Sequence, residues 1–268
     1  MKIQESRIVL TGAAGGIGNL LTRRLLDQGA HMAIVDRDPE QLASLAAATE
    51  LESQGGLVIT ADLSSSAGID SIRDRIETQW DGVVDAVIHA AGVIDFAPFE
   101  SMQSEAIHRL MVINLEAPIQ LTRALLPAML DRGRGRIVFV GSILGALGMP
   151  YFSTYTASKF ALRGFAEALR REVYGSGVGI SYIGPRSVKT QLNAGAVERM
   201  AAATGMTMDE PELVAKRIVE IIQKDQDEVH MGFPESLFVK INGIFPGLID
   251  KGMRSQQKVM EAFARGLK

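Results

Sequence analysis

The sequence predicts a doubly wound α/β fold built on one parallel sheet of about seven strands, flanked by helices and followed by a C-terminal helical extension. Three observations carry this. Short apolar runs alternate with helical patterns from residue 7 to about residue 232. The runs are rich in Val and Ile and do not alternate strictly with polar residues, as in strands covered by helices on both faces. The first run leads directly into the glycine turn Thr11-Gly12-Ala13-Ala14-Gly15-Gly16-Ile17-Gly18 and then into a helical pattern.

The predicted strands, in order, are residues 7–11, 31–36, 56–61, 85–90, 135–140, 177–184 and 228–231. The predicted helices are 17–28, 39–49, 66–80, 101–130, 153–174 and 211–224. Gln28-Gly29 supplies a C-terminal glycine to the first helix, and Asp38-Pro39 supplies a cap and a first-turn proline to the second. Repeated strand–helix–strand units with short links imply right-handed crossovers. No linker, low-complexity tract or repeat interrupts the run, so the chain reads as a single domain over 1–268 with a core at 6–232. Two segments break the alternation. Residues 187–210 are poor in strand formers and read as a lid loop. Residues 233–268 read as an extension of two short helical pieces divided at Pro246-Gly247.

Composition narrows the function. The formal net charge is −3 over 268 residues, so nothing points to nucleic acid. The absence of Cys excludes disulfides, thiolate metal sites and a cysteine nucleophile, and the four His residues show no ligand spacing. No stretch approaches the ~18 apolar residues of a membrane span, and the first apolar run is too short for a signal peptide. A soluble, cytoplasmic protein without a metal is expected.

The glycine turn is an anion site in the making. A strand, a turn and a helix start aim free N–H groups and a partial positive charge at a pyrophosphate, and glycine lets the backbone come close. The spacing is Gly-x-x-x-Gly-x-Gly at 12, 16 and 18. It lacks the Gly-Lys-Ser/Thr of a triphosphate loop, which disfavours ATP chemistry. Asp36 ends the second strand, 18 residues after Gly18. A carboxylate there accepts bonds from ribose hydroxyls and repels a 2′-phosphate, whereas the adjacent Arg37 would attract one. The balance favours NAD, with NADP as the alternative.

Tyr155 and Lys159 lie one turn apart at the start of a predicted helix. A phenol with an ordinary pKa near 10 is a weak acid–base catalyst at neutral pH, and a nearby ammonium stabilises its phenolate. Ser142 follows the fifth strand, at the sheet edge where ligands bind in such folds. Asn114 sits in an otherwise apolar helical stretch, where a buried amide needs partners.

Taken together, the glycine turn, Asp62 in Ala61-Asp62-Leu63-Ser64, Asn114, Ser142 and Tyr155-Thr156-Ala157-Ser158-Lys159 resemble the short-chain dehydrogenase/reductase family over residues 6 to 232. The resemblance implies reversible hydride transfer between a nicotinamide cofactor and an alcohol or carbonyl carbon. It implies Tyr155 as general acid/base, Lys159 on the nicotinamide ribose, Ser142 on the substrate oxygen, Asn114 holding a relay water, and Asp62 at the adenine. It also places Gly15, Ile17, Leu63, Ala91, Gly92, Pro185, Val188 and Thr190 along the cofactor. Two departures stand out. His89-Ala90-Ala91-Gly92 replaces the family's usual Asn-Ala-Ala-Gly, which reads as a structural swap. Arg186 follows Pro185 where the family usually has glycine, and solvent or a cofactor phosphate is its expected partner, with an anionic substrate as a third option.

The tail holds four of the ten Phe residues and six Lys or Arg against three acidic residues. It reads as a cover over the substrate pocket or a subunit contact, with contact to a membrane surface as the alternative. Either use fits a lipophilic substrate, as do Ile143, Leu144, Leu147 and Met149 between Ser142 and Tyr155. Helices 101–130 and 153–174 carry apolar residues on more than one side (Met111, Ile119, Leu125, Phe160, Leu162, Phe165), which calls for a second partner besides the sheet; the family resemblance implies that it is another copy, in a homodimer or homotetramer. A cofactor-binding regulatory or membrane-associated protein with little turnover is the competing reading.

Overall fold

The structure is a computed structural model that describes residues 1–267. Seven strands form one parallel sheet: β1 (Arg7–Thr11), β2 (His31–Asp36), β3 (Leu57–Thr60), β4 (Ala86–His89), β5 (Gly135–Val140), β6 (Val178–Gly184) and β7 (Glu228–His230). Their spatial order is β3-β2-β1-β4-β5-β6-β7. The chain reverses its direction of progress between β1 and β4, and such a switch point opens a crevice at the C-terminal strand ends. Strand centres are buried on both faces: β4 is buried at all four positions and β2 at four of six.

Helices α1 (Gly16–Leu26), α2 (Pro39–Ala48) and α8 (Pro211–Gln223) cover one face, with Leu21, Leu25, Leu42 and Ile218 fully buried against Ile8 and Ile34. The other face receives α3 (Ser66–Trp80), α5 (Ala117–Asp131) and α6 (Ser153–Glu172), through Ile72, Leu121 and Leu162 against Val87 and Phe139. The caps are chemical. Asp38 accepts the amides of Glu40 and Gln41 at 3.1 and 3.0 Å, and Ser65 accepts that of Gly68 at 3.1 Å.

Three segments differ from the sequence reading. The helix expected over 101–130 starts at α4 (Ser104–Met111) and passes through a π-helical turn, Val112–Glu116, before continuing as α5. The apolar periodicity runs through the bulge, so periodicity alone hides it. The expected lid loop holds a short turn at Gln191–Asn193 and a helix, α7 (Ala196–Thr204). Gly195 and Gly205, both at positive φ, frame a run of helix formers (Val, Glu, Arg, Met, Ala). The extension holds α9 (Glu235–Ile244) and α10 (Pro246–Ala264). The break falls at Pro246 as expected, but α10 spans 19 residues rather than a short piece. Val197 and Met200 of α7 pack with Met260 and Phe263 of α10 in a third apolar cluster, which also contains Tyr155 and Phe152.

Candidate active site

Glycine is obligatory at two points of the turn after β1. Gly12 has φ +70°, and a Cβ there would stand 2.6 Å from the Ala91 amide. A Cβ on Gly18 would stand 2.0 Å from the Gly12 carbonyl. The turn therefore packs backbone to backbone against the end of β4, leaving the first amides of α1 free at its positive end. A Cβ on Gly16 would meet Thr190 at 2.9 Å, so the loop after β6 closes over the same helix start. At the end of β2, Asp36 accepts the Ala14 amide at 3.1 Å and the Arg37 amide at 2.8 Å. That holds one carboxylate beside the glycine turn, while the Arg37 side chain is exposed. Asp62 is exposed past the end of β3 and binds the Ser64 amide at 2.9 Å. These bonds hold its carboxyl below the usual range. Leu63 beside it packs against the core.

One cavity of about 560 Å³ opens at the C-terminal strand ends. Ser142, Tyr155, Lys159, Gly92, Val188 and Thr190 line it, and so do Ile17 and Pro185. Ser142 starts a tight turn after β5, and its Oγ accepts the Leu144 amide at 3.1 Å. Its own hydroxyl proton is left to donate. Tyr155 lies in the first turn of α6, the positive end of the helix. Burial pushes its phenol up to about 12, with the Ser142 hydroxyl pulling the other way. Lys159 Nζ sits 5.7 Å from the centre of the Tyr155 ring, and burial brings its ammonium down to about 8. Both groups thus lean toward their neutral forms in a dry site, and an opposite charge placed there would be felt strongly.

Asn114 is fully buried in the π turn. Its Oδ1 accepts the Val93 amide at 2.8 Å, and its Nδ2 donates to the Val93 carbonyl at 2.9 Å and to Ser158 Oγ at 3.2 Å. Ser158 in turn donates to the Tyr155 carbonyl at 2.7 Å. The side-chain amide is therefore committed to bracing the loop after β4 against α6. A water held at Asn114 would therefore meet the backbone of the π turn, whose hydrogen bonding is shifted by one residue.

Two further residues complete the site. Tyr182 on β6 was not marked by the sequence because it reads as an ordinary strand aromatic. Its hydroxyl bonds both the amide and the carbonyl of Ser142. Arg186 is partly exposed and lines the same cavity, where its guanidinium is held by carboxylates of this chain. It pairs with Asp209 at 2.7 Å and Glu235 at 2.9 Å and donates to the Phe233 carbonyl at 3.1 Å. One guanidinium thus ties the loop after β6 to the start of α8 and to α9. His89 is fully buried, stacks on Phe139 at 5.0 Å, and places Nε2 3.0 Å from Thr122 Oγ1. Burial depresses its pKa to about 3, so it is a neutral core residue. Among the described residues no cluster of His, Asp or Glu could hold a metal ion.

A parallel sheet with this strand order, a glycine turn after β1 and a Ser, Tyr and Lys set at its C-terminal edge define a nicotinamide-type oxidoreductase architecture. The family model for short chain dehydrogenase matches residues 6–201, and the chain belongs to that family. Among its relatives are the dehydrogenase/reductase SDR family member 7B of Danio rerio, 30% identical over 96% of this chain and 87% of the relative. The 3-ketodihydrosphingosine reductase of Bos taurus is also 30% identical, over 97% of this chain and 79% of the relative. The short-chain dehydrogenase from Sphingobium yanoikuyae, solved in complex with NADPH, superposes with a TM-score of 0.76 at 23% identity, covering 91% of this chain and 95% of that one.

Proposed function

We propose that the chain catalyses hydride transfer between NAD(H) and an alcohol or carbonyl carbon of a lipophilic small molecule, with Tyr155 as the general acid/base. The observation that carries this reading is that Ser142, Tyr155 and Lys159 line one cavity together. Leu144, Leu147, Met149, Met206, Phe238 and Met253 contribute to its mainly apolar lining. Apolar walls with a few convergent polar groups are the usual form of a small-molecule site, and flexible methionines suit an irregular apolar ligand. The relative that reduces 3-ketodihydrosphingosine, by its name a lipid ketone, supports the same class.

The cofactor supplies or accepts the hydride. The glycine cradle fits it: the close approach at Gly12 and Gly18 leaves the helix amides of α1 bare for a pyrophosphate. In the reductive direction the Ser142 hydroxyl holds the substrate carbonyl oxygen. Tyr155 Oη releases its proton to that oxygen as the hydride reaches carbon, and the Lys159 ammonium stabilises the phenolate left behind. The oxidative direction runs the same proton back to Tyr155. Asn114 and Ser158 hold α6 and the loop after β4 in register during both. Tyr155→Phe should lower turnover by about 10²–10⁴-fold with cofactor affinity retained, and a variant with wild-type turnover would overturn the assignment.

The same reading extends to assembly as a homodimer or homotetramer. Leu125 and Leu162 face the sheet, whereas Leu130 and Phe160 on the same helices are exposed, and a second copy would cover them. Light scattering that shows a monomer at micromolar concentration would remove this part.

A further inference from the structure

Among the described residues, the C-terminal extension leaves a large apolar surface without a partner. Phe233, Ile244, Phe245 and Leu248 are 76%, 71%, 61% and 59% exposed. Residues 243–248, Gly-Ile-Phe-Pro-Gly-Leu, make the corner between α9 and α10, and every one of them is exposed. A surface corner is ordinarily polar; this one presents three large apolar side chains together, which marks a contact site.

The charge around it is selective. The stretch 233–268 holds six Lys or Arg against three acidic residues, in a chain whose net charge is −3. Exposed Lys240 lies between Leu237 and Ile244 at helical spacing, and exposed Lys251 lies one turn after Leu248. Exposed Lys240, Lys251 and Arg254 thus outnumber the one exposed carboxylate beside the corner, Asp250. The apolar surface also continues inward. Phe238 and Leu248 are exposed on the outside yet line the cavity that ends at Tyr155, joined there by Ile249 and Met253.

We propose that the α9–α10 corner docks on an anionic lipid surface, so that the mouth of the cavity opens toward membrane-dissolved substrate. Ile244, Phe245 and Leu248 enter the boundary between headgroups and acyl chains, and Lys240 and Lys251 meet the anionic headgroups. Among the described residues no helix is long and apolar enough to cross a membrane, so the contact is interfacial. A second copy of the chain seated on the same corner would cover the cavity mouth; a lipid surface supplies apolar solutes to it. Docking rests on the surface alone, while delivery of substrate rests on the functional reading above.

The test is co-sedimentation of the full chain with phosphatidylcholine vesicles, with and without phosphatidylserine. The wild type should sediment with the anionic vesicles and be released by salt. The paired substitution Ile244→Ser and Phe245→Ser should weaken that binding by at least about tenfold. Its thermal stability and its turnover of a water-soluble ketone should stay unchanged, because neither side chain lines the cavity. Vesicle binding that is absent in the wild type, or undiminished in the double variant, overturns the proposal. So does a double variant that dissociates an oligomer in light scattering while vesicle binding persists, which would make the corner an interface between copies. A wild type that binds the vesicles but turns over no ketone with either nicotinamide cofactor counts against the catalytic reading and leaves the docking in place.

Discussion

The Tyr182 hydroxyl grips the backbone of Ser142 from both sides, donating to its carbonyl at 2.8 Å and accepting its amide at 3.2 Å. The grip depends on two glycines. A Cβ on Gly141 would stand 2.3 Å from the Tyr182 ring, and one on Gly145 would stand 1.9 Å from its hydroxyl. Burial pushes the Tyr182 phenol well above its usual pKa, so the hydroxyl stays a neutral donor and acceptor. The turn that aims Ser142 into the cavity is thus pinned from the strand beneath it.

Tyr182→Phe removes the pin and leaves the buried Ser142 amide without a partner, while the Ser142 carbonyl keeps the Gly145 amide at 2.9 Å. Such an unpaired group costs about 1–3 kcal/mol. The variant should fold with a modestly lowered melting temperature. Its kcat should fall about tenfold, since ~1.4 kcal/mol in the barrier is one decade, while cofactor affinity holds. Steady-state kinetics beside calorimetric cofactor binding checks this. A drop in stability with kcat unchanged would show that Tyr182 serves only the core.

The sheet and the polar set were legible in the sequence because both rest on local signals. Strands buried on two faces read as unbroken Val and Ile runs, and Tyr155 with Lys159 share one helical turn. What stayed hidden depends on partners far away in the chain. Arg186 was visible as a departure, but its partners Asp209 and Glu235 come from segments that only the folded chain brings to it. Tyr182 needed the register that sets Phe139 beside it and carries Ser142 past the end of β5. The commitment of Asn114 to Val93 follows from the π turn, which apolar periodicity does not register.

The buried His89 gives a pH prediction with a definite sign. Its pKa is about 3 in the folded chain, against an ordinary value of 6.5. Between those values the unfolded chain binds a proton that the folded chain refuses. Stability therefore rises with pH through that window and is lost as pH falls from 6.5 toward 3. His89→Gln sets an amide where Nε2 meets Thr122 and has nothing to protonate. Denaturant midpoints measured from pH 7 down to pH 4 should fall less steeply for the variant than for the wild type. Parallel slopes would mean that other groups govern acid unfolding.

Cofactor choice turns on Asp36. Its carboxylate is fixed beside the glycine turn by the amides of Ala14 and Arg37, where it can accept bonds from ribose hydroxyls. A 2′-phosphate would bring about two further negative charges next to it. Arg37 is exposed and would have to fold inward to offset them. NAD(H) should therefore bind more tightly than NADP(H). Asp36→Ala should weaken NAD(H) and strengthen NADP(H) by about tenfold, the effect of ~1.4 kcal/mol of removed repulsion. Titration calorimetry with both cofactors decides it. A wild-type preference for NADP(H) would show that Arg37 swings over the ribose and outweighs Asp36, and then Arg37→Ala, rather than Asp36→Ala, should be the substitution that reverses the preference.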